Sequence, residues 1–215
     1  MTNPTPLHKI TLVIATGNPG KFNEMATLLT GVDALLVPLD RAGPIPPIPP
    51  EGGESFQENA LRKAEAVARA SGYLALADDS GLEVDALGGQ PGVLSARFGG
   101  PQATDAERNA RLLELLRGVP PDQRTARFRC VVAVANPRGS VQVVEGICEG
   151  RIALEPRGSR GFGYDPIFEI PSLGKTFGEL DPEVKNRLSH RGQAMAKARA
   201  ILEGMLASQS HPDQQ

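Results

Sequence analysis

The chain has 215 residues, 40% of them apolar, and a formal net charge of −2. That length supports one sizeable core, or one domain of two lobes, and excludes two large independent domains. The charge gives no basic excess for wrapping a nucleic acid polymer, and no apolar run approaches the roughly 20 residues of a membrane span. The N-terminus, "MTNPTPLHKI", holds no apolar signal core, which predicts a cytoplasmic protein.

Residues 1–8 read as an N-terminal extension. "HKITLVIAT" reads as a first buried strand, rich in Ile, Leu and Val. "GNPGK" is a Gly/Pro turn, and "KFNEMATLLTG" predicts a helix with Gly31 near its C-terminus. The run "AGPIPPIPPEGG" excludes helix and central strand, because proline lacks the donor N–H and fixes its φ. In "ESFQENALRKAEAVARASG", Ser55 and Glu58 fit a capping box, the Ala-rich body favours helix, and Gly72 ends it. The strand "YLALA" follows and runs into Asp78 and Asp79, where "SG" suggests that the chain turns. "TDAERNARLLELLRG" is a second capped helix, with Thr104, Glu107 and a stop at Gly118.

"TARFRCVVAVA" and "SVQVVEGICEG" flank "NPRGS", which predicts a hairpin over 125–149. Counting out from the turn sets Cys130 nearly opposite Cys148, as two buried thiols. "GRIALEPRGSRGFGYDPIFEIP" reads as strand, glycine loop, strand. Asp181 and Pro182 open a short helix, and Ser189 caps a closing helix over "SHRGQAMAKARAILEGMLA". Strands alternating with helices, plus one hairpin, predict an α/β domain with a mixed sheet. The tail 208–215 is polar and is expected to fray.

Four segments carry candidate chemistry. "TGNPGK", Thr16 to Lys21, sets a glycine turn before a helix start, which suits an anion or is an ordinary tight turn. It has neither the GxxxxGK[ST] nor the GxGxxG spacing. In the acid pair, successive side chains of a strand point to opposite faces, so the two carboxylates do not share one task. Asp79 leads into the turn and offers a hard oxygen ligand for Mg²⁺, or else both acids cap the turn. "GSRGFGYDPIF" presents Phe162 and Tyr164 in a glycine loop, either for stacking on a base or as a core bend. "KNRLSHRG" brings Lys185, Arg187, His190 and Arg191 to a join between helices, as ligand donors or as a solvated basic stretch.

Taken together, "TGNPGKFNE", "SFQENALRKA", "ADDSGLEVDALGGQPGVLSARF", "GFGYDPIF" and "SHRGQA" resemble, in order, the motifs of the inosine triphosphate pyrophosphatase family. The resemblance spans residues 9–207, read as one domain. It implies an elongated α/β domain of two lobes around a long mixed sheet, with the active-site cleft between them, and a homodimer. It implies Mg²⁺-dependent hydrolysis of ITP, dITP and XTP to the monophosphate and pyrophosphate. By this resemblance Thr16, Gly17, Asn18, Pro19, Gly20 and Lys21 form the phosphate loop, Asp79 is the catalytic and metal-binding carboxylate, and Ser80 contacts the nucleotide. Phe162, Gly163, Tyr164 and Asp165 hold the nucleoside, and Lys185, His190 and Arg191 recognise the base and secure the nucleotide. Lys21 and Lys185 are expected to hold the triphosphate. The family's second metal-binding glutamate aligns with Pro50, so either the neighbouring Glu51 is the substitute ligand or the metal is held by fewer protein ligands. The alternatives are hydrolysis of other nucleotides, such as dUTP, and a non-catalytic nucleotide-binding module.

Overall fold

The structure, a computed structural model, describes residues 9–45 and 55–210. Seven strands form one mixed sheet in the order β2-β1-β3-β4-β5-β6-β7. β1 (Ile10–Ile14) pairs in parallel with β2 (Ala34–Pro38) and with β3 (Leu74–Val84). From β3 onward the sheet is antiparallel, through β4 (Thr125–Ala135), β5 (Val141–Ile152), β6 (Phe168–Ile170) and β7 (Lys175–Thr176). The helices are α1 (Pro19–Leu28), α2 (Phe56–Ser71), α3 (Asp105–Leu115), α4 (Pro182–Leu188) and α5 (His190–Ser210). No helix of the described residues is long and apolar enough to cross a membrane.

Local chemistry explains the helix starts. Asn18 caps α1 by accepting from the Lys21 N–H, with Pro19 in the first turn, where its missing N–H costs nothing. The helix thus begins at Pro19, inside the segment that the sequence presents as a turn. Ser55 caps α2 and Gly72 closes it in the left-handed conformation. Thr104 and Glu107 form a reciprocal capping box on α3. Ser189 accepts from the Gly192 N–H at the head of α5. Asp181 precedes α4 without a side-chain capping bond. α5 continues through Ser210, so 208–210 extend the helix, and residues 211–215 lie outside the described residues.

β3 does not stop at the acid pair. It pairs with β4 through Asp78↔Val132, Asp79↔Val131 and Gly81↔Arg129, as far as Val84. "SG" is therefore not a turn. Gly81 is present for close approach: a Cβ there would lie 2.4 Å from Gly92 O and 2.6 Å from Ser95 Oγ. β1 ends alongside Leu76, so the acids stand just past the carboxyl end of the parallel half.

One face of β3 shows how the cleft arises. Leu74 and Leu76 pack with α1 and α5 in one apolar cluster. Leu82 and Val84 pack with Leu112, Phe128 and Phe168 in another. Asp78 and Ser80 share that face by strand alternation and form the polar break between the two lobes. The other face buries Ala75 and Ala77 against α2. Cys130 lies opposite Gly146 and Cys148 opposite Phe128, so the cysteines are diagonal neighbours rather than partners. Both are free and buried, and burial pushes their thiols up to about 12 and about 11.

Candidate functional site

Two pockets meet at Asn18, Lys21, Ser80 and Ala96. One extends past Phe162, Gly163, Tyr164, Asp165, Lys185, His190 and Arg191. The other is lined by Thr16, Gly17, Lys63 and Asp79. The structure thus brings the predicted residues into one cleft. Pro19 and Gly20 stand behind it in the first turn of α1, with Gly20 against the Phe162 ring. Glu51, the substitute metal ligand, lies outside the described residues, as does Pro50.

The Asp79 side suits phosphate and a hard cation. Asp79 is 4% exposed, accepts from Asn59 Nδ2 at 2.9 Å and lies 3.6 Å from Lys63 Nζ. Lys63 also donates to the Asp78 carbonyl at 2.6 Å. Asn59 and Lys63 sit one turn apart on α2, so one helix face orients the carboxylate. Lys21, Asn18 and the turn of Thr16 and Gly17 line the same pocket, beside the N-terminal end of α1, which favours an anion.

The opposite side is an ion-pair network. Asp78 Oδ2 lies 3.0 Å from both Lys21 Nζ and Arg191 Nη2, and accepts from Ser80 Oγ at 3.1 Å. Its partners are these side chains, so it does not cap a turn. Burial acts to raise the Asp78 pKa, but Lys21, Arg191 and Lys63 outweigh it and hold the carboxyl well below the usual range. Glu24 joins two cations, accepting from Lys185 Nζ and from Arg191 Nη1 at 2.6 Å each. Those cations override its burial and lower its pKa. Arg191 Nη2 also donates to Ser80 Oγ at 2.8 Å; burial works against its charge, but Asp78 and Glu24 outweigh it and keep Arg191 firmly charged.

The ring of Phe162 lies 5.0 Å from Lys185 Nζ and 5.7 Å from the Arg191 guanidinium carbon. Asp165 accepts from the Phe162 N–H at 2.8 Å and from Lys185 at 2.6 Å, yet its burial still raises its pKa. Lys185 therefore lines the Phe162 pocket, and the cation facing Asp79 is Lys63, contrary to the sequence expectation that Lys185 grips the triphosphate. Tyr164 is buried and donates to the Ser95 carbonyl at 2.9 Å, which makes it a brace for the loop rather than a second stacking ring. His190 stacks on Phe128 at 4.5 Å, and burial beside Arg191 and Lys185 drives its pKa well below 6.5, so it is neutral. Among the described residues, His190 Nδ1 and Arg191 Nε are buried without a hydrogen-bond partner.

Sequence reasoning singled out neither Glu24 nor Lys63, although both lie inside quoted motifs. Their signals were spacing: Glu24 follows Lys21 by one turn of α1, and Lys63 follows Asn59 by one turn of α2. Asp105 and Asn109 carried no signal, because their partner, Gly163, is on a distant loop.

Comparison with known proteins agrees with this geometry. Residues 12–201 match the Ham1 family. A dITP/XTP pyrophosphatase of Desulforamulus reducens is 53% identical over 191 residues, covering 89% of this chain and 94% of that protein. Its counterpart in Bacillus subtilis is 47% identical, covering 89% and 96%. The solved structure of a HAM1 protein from Coxiella burnetii superposes with a TM-score of 0.81 at 44% identity, covering 90% of this chain and 98% of that one. The chain belongs to the Ham1 family.

Proposed function

We infer that this chain is a hydrolase that converts non-standard purine nucleoside triphosphates, ITP, dITP and XTP, to the monophosphate and pyrophosphate. The observation that carries this is the two-part cleft meeting at Lys21 and Ser80, with an aromatic ring and buried cations on one side and a helix N-terminus, Lys63 and Asp79 on the other. A nucleoside fits the first part and a triphosphate the second. The dITP/XTP pyrophosphatases at about half identity support the same reading.

Catalysis then rests on charge placement and alignment. Lys21, Lys63 and the N–H groups of the turn before α1 bind the phosphates. Asp79 orients the water that attacks the α-phosphorus, and pyrophosphate leaves. Among the described residues no group of three or more His, Cys, Asp or Glu could hold a metal ion alone. One carboxylate nevertheless fits Mg²⁺, which keeps several waters and leans on substrate phosphates, and a carboxylate has about four lone-pair sites, so the bond from Asn59 does not exhaust it. Bound there by Asp79, Mg²⁺ would neutralise phosphate charge.

Base choice follows from the unpartnered nitrogens. Arg191 Nε is a donor only, so it favours the 6-oxo group of hypoxanthine or xanthine over the amino group of adenine. A site built for such a bond discriminates by roughly 10⁴-fold. We assign the chemistry to residues 9–207 as one domain, acting as a cytoplasmic homodimer.

The test is pyrophosphate release from ITP, XTP, dUTP, GTP and ATP, with and without Mg²⁺. ITP and XTP should be cleaved, only with Mg²⁺, at far higher kcat/KM than ATP. Equal efficiency for ATP and ITP, or preference for dUTP, would overturn the assignment.

A further inference from the structure

One helix holds the backbone of Gly163, the residue after Phe162, at both of its polar atoms. The Gly163 N–H donates to Asp105 Oδ2 at 2.6 Å, and its carbonyl accepts from Asn109 Nδ2 at 3.1 Å. Asp105 and Asn109 stand one turn apart on α3, so they address the loop from the same helix face. Arg108 fixes Asp105 in turn and also donates to the Ala96 carbonyl at 3.2 Å.

α3 has anchors besides these two residues. The Thr104–Glu107 box caps it, and fully buried Leu112 anchors it. Asn109 is 5% exposed, and its Oδ1 has no partner among the described residues. Burying a half-satisfied amide is costly, so an apolar residue would serve packing better. Among the described residues, the one bond that Asn109 Nδ2 makes is the bond to Gly163.

Resting on the function above, we propose that Asp105 and Asn109 are positioning residues for nucleobase binding, holding the Phe162 loop so that its ring covers the pocket beside Lys185 and Arg191. They lie away from the Thr16–Asp79 pocket, so their loss weakens binding without touching the chemical step.

Asp105→Ala and Asn109→Ala should each raise KM for ITP roughly tenfold, the loss of about one hydrogen bond to a charged or buried group, and leave kcat within roughly twofold. Asp105→Asn retains a carbonyl acceptor and should restore KM. The chain has no tryptophan, so Phe162→Trp gives the loop a single fluorescent reporter. In that background Asp105→Ala should lower fluorescence anisotropy and weaken IMP binding at an unchanged melting temperature. Unchanged KM and anisotropy, or kcat falling together with melting temperature, would overturn the proposal. Phe162→Ala separates the two readings: if it raises KM while the α3 variants do not, only the positioning proposal fails. If it leaves KM unchanged, the nucleobase-stacking assignment itself fails.

Discussion

Asp78 and Asp79 are neighbours in the chain and serve opposite faces of the sheet. Asp78 pairs with Lys21 of α1 and Arg191 of α5, whereas Asp79 is held by Asn59 and Lys63 of α2. Strand alternation enforces this division, and it predicts different consequences for two substitutions of the same kind.

Asp78→Asn removes the charge that compensates buried Arg191 and half-buried Lys21. Breaking a buried pair from one side costs about 3 to 5 kcal/mol. The folded protein should lose that much in denaturant unfolding. A variant of unchanged stability would show that Asp78 is not the neutralising centre of the network.

Asp79→Asn should behave in the opposite way. The amide keeps a carbonyl acceptor for Asn59, so the fold survives, but the charge that orients water and attracts Mg²⁺ is gone. Pyrophosphate release from ITP should fall by roughly 10²–10⁴-fold, with the melting temperature little changed. Near-normal turnover would remove Asp79 from the mechanism.

These contrasts also mark what the sequence could and could not reveal. The caps at Ser55 and Thr104 are local, and so was the alternation that separates the two acids. The strand end was misplaced because Ser80 and Gly81 are turn-like residues, whereas Gly81 is fixed by Gly92 and Ser95 pressing on the strand. The Glu24–Lys185 and Arg191–Asp78 pairs join positions 161 and 113 residues apart. No local rule pairs such charges, and that is why Lys185 was set on the phosphates and Lys63 was overlooked.

Gly20 tests whether the phosphate turn and the aromatic loop are one device. A Cβ at Gly20 would lie 2.8 Å from Phe162 Cδ1. Gly20→Ala is compatible with the first turn of α1, so the ring must give way. Displacing it by an overpacked methyl costs about 1 to 3 kcal/mol. KM for ITP should therefore rise by roughly tenfold or more, and the unfolding midpoint should fall as well. An unchanged KM would mean that the ring has room to move at no cost to binding.

His190 links stability to pH. It is buried and stacked on Phe128, and burial, Arg191 and Lys185 all depress its pKa well below 6.5, with Asp78 opposing them. A depressed folded pKa means that the unfolded chain takes up the proton first. The stability tied to neutral His190 is thus complete above about pH 6.5 and is lost as pH falls toward the folded pKa. Between pH 7 and 5 this amounts to about 1 to 2 kcal/mol. Depressed carboxylates at Asp78 and Glu24 act in the same direction only nearer their own unfolded values, about 3.9 and 4.3, so they contribute little in this window. Unfolding free energies at pH 7 and 5 should therefore differ less in His190→Gln than in the parent, although the variant is weaker at both. An equal loss in the two proteins would show that another group governs the acid limb.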